Sequence, residues 1–145
     1  MFTTRYIISK AAHTLRHAGL ALAVLMSLPA QAIDIKGNVY GGGKEGQVGT
    51  PKDSAKVVVD ILDTTINDVF GGGLDGAVYG TTTVNFNDSK ASNIYGGGSN
   101  ALVDGTCNVN LNSGFVLDNI YGGGRLGRTV NTNVTMAGGY VGYTN

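Results

Sequence analysis

The chain has one cysteine, two histidines, two prolines and no tryptophan among its 145 residues, and only 14% of it is charged. A lone Cys107 cannot close an intrachain disulfide, which excludes the bridged framework that holds many small exported domains together. Both histidines, His13 and His17, lie in the first 32 residues. Beyond them no imidazole remains for a Ser-His-Asp or Cys-His arrangement, or for a zinc site. The low charge does not mark a disordered chain, because hydrophobic residues make up 42% and β-branched residues are frequent. After residue 32 no stretch carries the apolar stripe of an amphipathic helix.

The first segment has a different character. Arg5, Lys10 and Arg16 precede an apolar run from Ala18 to Leu28, Pro29 follows, and Ala30-Gln31-Ala32 has the small-x-small pattern of a cleavage site. The run of eleven residues is too short to span a bilayer as a helix. A secretory signal peptide is therefore expected over residues 1–32, cleaved after Ala32, with residues 33–145 as the secreted or cell-surface domain. That domain has seven basic and ten acidic side chains, a net charge of −3, and lacks the basic footprint of a nucleic-acid binder.

What the chain has in excess is glycine, 24 residues against the usual level of roughly 7%. Twelve of them sit in four copies of one motif: Tyr40-Gly41-Gly42-Gly43, Phe70-Gly71-Gly72-Gly73, Tyr95-Gly96-Gly97-Gly98 and Tyr121-Gly122-Gly123-Gly124. The aromatic residues are 30, 25 and 26 apart. A second motif, Val59-Asp60-Ile61, Val84-Asn85-Phe86, Val109-Asn110-Leu111 and Val134-Thr135-Met136, recurs every 25 residues. Periods of this size indicate solenoids, propellers or arrays. Propeller blades need roughly 40 residues or more, and the leucine signature of leucine-rich repeats is missing.

Within each copy the alternation has period two: Cys107, Val109 and Leu111 point one way, Asn108 and Asn110 the other. The expected fold is all-β, a single-chain β-solenoid of parallel β-helix type with about four rungs of about 25 residues. Stacked rungs would place Val59, Val84, Val109 and Val134 in one buried ladder, with Ile61, Phe86, Leu111 and Met136 beside it. Asp60, Asn85 and Asn110 would share hydrogen bonds outside. The triple glycines are expected at corners, where a positive φ costs little without a Cβ. Extra residues around Gly49–Asp53 are expected to loop out of the first repeat.

The alternation of Ile/Val-Tyr-Gly-Gly-Gly with Val-x-Ile strands resembles the glycine-rich repeats of secreted bacterial β-solenoid proteins, including autotransporter-passenger-like and adhesin-like surface proteins. The resemblance covers residues 36–145 and implies an exported surface protein. Such solenoids host adhesins, enzymes and spacers alike.

Four candidate sites follow from the register. Tyr40, Phe70, Tyr95 and Tyr121 form an aromatic ladder, either a ligand platform for sugar rings or corner packing. Asp63 and Asp88 share one phase and are a candidate calcium or acid pair, although calcium wants six to eight oxygens and no full set can be assembled; the alternative is two solvated turn residues. No other cofactor is expected. Arg125 and Arg128 are the only candidates for the basic group of a β-helix polysaccharide lyase. Cys107 shares the inward phase of Val57, Thr82 and Thr132 and is expected to be a small buried hydrophobe. Thr81-Thr82-Thr83 is replaced in the other copies by Lys56-Val57-Val58, Thr106-Cys107-Asn108 and Asn131-Thr132-Asn133, so no uniform threonine array for matching ice runs through the repeats.

Asn145 falls opposite Ile120, inside a repeat, so the domain is expected to be incomplete at its C-terminal end, either a fragment of a longer array or closed by a partner. The expected function is a non-catalytic surface, adhesion or structural module binding glycan or protein along one solenoid face. The alternatives are a β-helix carbohydrate-active enzyme using Asp63, Asp88 and Arg125, and a fibre subunit that self-associates edge to edge.

Overall fold

The computed structural model describes residues 32–142, and the expected leader, apart from Ala32, lies outside the described residues. Alternating apolar and polar residues can bury one face of a strand only if that face meets another layer. Here the two layers are parallel sheets built by successive turns of the same chain. The first contains β1 (Ile33–Ile35), β2 (Val39–Tyr40), β4 (Thr64–Phe70), β6 (Ser89–Tyr95), β8 (Gly114–Tyr121) and β10 (Tyr140–Val141). The second contains β3 (Ala55–Leu62), β5 (Gly80–Asn87), β7 (Val103–Leu111) and β9 (Thr129–Met136), stacked in that order. Every strand pair is parallel.

The protein is thus a parallel β-solenoid of about three turns. The expected count of about four rungs is one too high, because the four strands of the second sheet bound only three complete turns.

The register follows the repeat. Val59 pairs with Val84, Val84 with Val109 and Val109 with Val134, and Ile61, Phe86, Leu111 and Met136 are aligned in the same way. From the first sheet Ile66, Ala91 and Val116 meet them, with Val69 and Ile94 nearer the glycine corner. The core is this narrow column between the sheets. Burying each such side chain stabilises the fold by about 1.5–3 kcal/mol.

Departures from the 25-residue period are local. The 26-residue step from Tyr95 to Tyr121 is a bulge in β8, between the pairs Ala91–Val116 and Asn93–Asn119. The longer first step is absorbed by an exposed loop closed by the reciprocal backbone bonds Thr50 N to Asp53 O (2.9 Å) and Asp53 N to Thr50 O (3.1 Å).

The glycine corners differ from expectation. None of the twelve triplet glycines lies in the left-handed region; positive φ occurs instead at Gly49, Gly80, Gly114, Gly139 and Gly142, and at Asp63 and Asp88. The triplets are glycine because rungs touch there through their backbones. A Cβ on Gly96 would press directly against the Gly122 carbonyl oxygen, and one on Gly97 would lie 2.6 Å from the Gly124 nitrogen. The same approach lets Gly71 N and Gly96 N donate to the carbonyls of Tyr95 and Tyr121, each at 2.9 Å.

Candidate ligand-binding surfaces

Stacking in register brings the four corner aromatics together as expected. Ring centroids are 4.9 Å apart for Tyr40–Phe70, 4.6 Å for Phe70–Tyr95 and 4.8 Å for Tyr95–Tyr121, with planes within 9° of parallel. These distances match the spacing of strands in a sheet, about 4.7–4.9 Å, so the rungs themselves set the stack. The consequence for binding is geometric. Each inner ring has both faces against its neighbours, and Phe70 is fully buried. The accessible aromatic surface of the ladder lies at its ends, on half-buried Tyr40 and on Tyr121, which is 43% exposed. Burial, followed by the nearby Asp68 carboxylate, raises the pKa of Tyr95 above its ordinary 10.0.

Asp63 and Asp88 occupy the opposite corner, where the chain passes from the second sheet to the first. Both are exposed and both adopt a left-handed backbone, at φ 48° and 44°, a conformation that aspartate tolerates better than most residues. Their neighbours tie the rungs together. The Thr64 amide donates to the Ser89 hydroxyl at 3.0 Å, and the Asp88 amide donates to the Ser113 hydroxyl at 2.9 Å. In the later copies Ser113 and Gly138 replace the aspartates, and the left-handed position moves to Gly114 and Gly139. Among the described residues no cluster of three or more His, Cys, Asp or Glu side chains is placed to hold a metal ion.

Arg125 is not brought to this pair. It lies in the turn after Gly124, at the glycine corner, while Asp63 and Asp88 lie at the start of the first-sheet strands. A seven-residue strand such as β4 separates the two corners by about 20 Å at 3.3 Å per residue. Cys107 is fully buried against Thr82, and burial pushes its thiol pKa above the ordinary value.

One pair of aromatics escapes the sequence reading. Phe115 and Tyr140 stack on the outer face of the first sheet with centroids 5.5 Å apart, and both are exposed. They continue the outward row of Thr65 and Lys90. The signal is their own 25-residue spacing and the glycine before each, hidden because the earlier copies hold threonine and lysine there. Beside this row lies an open groove of about 290 Å³, lined in part by Thr65, Asp88, Lys90 and Phe115.

The polar ladders are as regular as the core. Asn85 Nδ2 donates to Asp60 Oδ1 at 2.7 Å and Asn110 Nδ2 to Asn85 Oδ1 at 2.8 Å. Asn133 donates to Asn108 at 3.0 Å on the same sheet, and Asn112, just past the end of β7, donates to Asn87 at 3.0 Å. Asn93 donates to Asp68 at 3.0 Å on the first sheet. Side chains that would otherwise be mobile are thereby held at fixed intervals along the axis.

No family model, curated protein or solved structure matches the chain.

Proposed function

We propose that the protein is an exported, non-catalytic surface module of the adhesin-like kind, which binds glycan or protein along one face of its solenoid. The observation that carries this reading is the rung-to-rung locking of the outward polar side chains, which makes a long face a rigid, repeating array. An array of that kind favours many weak, equally spaced contacts over the convergent groups of a reaction centre. Preorganisation also lowers the entropy lost when the array meets a partner.

Binding of the purified chain to a glycan array and to immobilised surface proteins tests the reading, and retention on at least one class of ligand is expected. Turnover of any polysaccharide in a broad panel, with or without calcium, would overturn the non-catalytic part in favour of the enzyme alternative.

A second reading, end-to-end self-association, is favoured by one observation: Val134 and Met136 belong to the core ladders yet are 50% and 55% exposed. Concentration-independent monomers in sedimentation velocity would remove it.

A further inference from the structure

The outer face of the second sheet changes character between β3 and the three strands that follow. On β3 it carries Lys56, Val58, Asp60 and Leu62. From Thr81 on β5, Thr106 on β7 and Asn131 on β9, every outward position within the strands is threonine or asparagine. The rows Thr83–Asn108–Asn133 and Asn85–Asn110–Thr135 run along the axis. The charges nearest this area belong to β3, to Asp104 at the start of β7 and to exposed Asp88, which follows Asn87 at the end of β5.

We infer that this area is the binding face, and that its ligand is a neutral, hydroxyl-rich polysaccharide chain lying along the solenoid axis. The inference rests on the function proposed above and names the face and the ligand class.

Three properties select that ligand. Exposed sheet faces ordinarily carry charges, and their depletion marks the centre of an interface, so the partner brings no charge that would need a counterpart. The outward positions of the area hold no Trp, Tyr, Arg, Met or Phe, the residues that anchor protein partners, which disfavours a protein. What remains are amides and hydroxyls, which offer both donors and acceptors and so match hydroxyl groups.

Periodicity then favours a polymer over a single sugar. Rungs repeat at about 4.8 Å, close to the length of one unit in an extended polysaccharide, so each sugar can meet an equivalent set of side chains. Asn110 and Asn133 each donate one amide N–H to the preceding rung, and a carboxamide has a second N–H and further acceptor lone pairs with which to meet a ligand. Individual contacts are weak, and affinity grows with the number of rungs engaged.

The test is affinity electrophoresis of the full chain through gels containing soluble β-glucan or β-mannan, with co-sedimentation on chitin, alongside acidic polysaccharides as comparison. Retardation by at least one neutral polymer, unchanged by added salt, is expected. Thr83→Lys places a bulky charge in the centre of the face and is expected to weaken retention about tenfold or more, a loss of about 1.4 kcal/mol. Thr106→Lys, on the neighbouring strand, is expected to do the same, and it carries the test if Thr83→Lys does not fold. Lys90→Ala, on the first sheet, is expected to bind as the parent does.

Retention by acidic polysaccharides or proteins alone would overturn this inference and leave the wider function standing. So would loss in Lys90→Ala with retention in both lysine-bearing variants. Failure to bind any glycan or protein would overturn both readings.

Discussion

Leu111 and Met136 occupy the same ladder one rung apart, yet Leu111 is fully buried and Met136 is 55% exposed. Val109 and Val134 repeat the contrast beside them. Strand geometry and inward phase are the same at both levels; what differs, among the described residues, is a rung on the far side. In this fold an inward position is a request for burial that only the next turn fulfils, so stability resides in nearest-neighbour rung contacts. The difference also locates a surface where core side chains meet solvent.

The largest test of that contrast is truncation of the ladder. Leu111→Ala is expected to destabilise the fold by about 2–5 kcal/mol, the usual cost of emptying a filled core site. Met136→Ala should cost less than about 1 kcal/mol, since little of its surface leaves water on folding. Chemical denaturation of both variants measures the two values, and equal costs would mean that something covers the last rung in solution.

The glycine corners sharpen the same comparison. Gly97 has a backbone neighbour in the next rung, so its added Cβ would sit 2.6 Å from Gly124 N, while the nearest atom to a Cβ on Gly123 is Thr129 Oγ1 at 3.5 Å. Gly97→Ala should therefore cost about 1–3 kcal/mol through overpacking. Gly123→Ala is expected to fall within about 0.5 kcal/mol of the parent. Thermal melts of the pair would show whether these corners need glycine for close approach; a matching loss at both would return the explanation to backbone conformation.

That distinction was beyond the sequence. Close approach and positive φ both select glycine, and Tyr-Gly-Gly-Gly reads the same under either cause. The fold itself was legible, because Val59, Val84, Val109 and Val134 keep one spacing and one inward phase, and each rung imposes its register on the next. The corner stack of Tyr40, Phe70, Tyr95 and Tyr121 was legible for the same reason, but the covering of both faces of its inner rings was not, since ring orientation depends on packing. Phe115 and Tyr140 stayed hidden because a motif search keeps positions that recur in every copy, and Thr65 and Lys90 break that row. The neutral face was obscured similarly: its threonines and asparagines alternate between rungs, so the conserved quantity is the absence of charge.

The polar ladder gives a smaller difference than the core. Asn110→Ala removes the 2.8 Å bond to Asn85 from a half-buried row and is expected to cost about 0.5–1.5 kcal/mol. Thr135→Ala, in the same row of the exposed last strand, should change stability by less than about 0.5 kcal/mol. Unfolding by urea compares them, and an equal cost would argue that the ladder contributes no more than side-chain propensity.

The smallest expected effect is a pH dependence confined to the interior rungs. Tyr95 and Cys107 both have folded-state pKa values raised by burial, above ordinary values of 10.0 and 9.0. Each group therefore holds its proton more tightly in the folded chain than in the unfolded one. The associated stability is fully present below the unfolded pKa values, and it declines as pH rises through the window between the unfolded and folded values. Denaturation midpoints should thus be flat near neutrality and begin to fall above about pH 9. Tyr95→Phe keeps the ring in its stack and removes the ionisable hydroxyl, so the part of the decline that begins above the unfolded tyrosine value should shrink, while the part due to Cys107 remains. An undiminished decline in Tyr95→Phe would place the alkaline sensitivity in Cys107 or in groups outside the aromatic ladder.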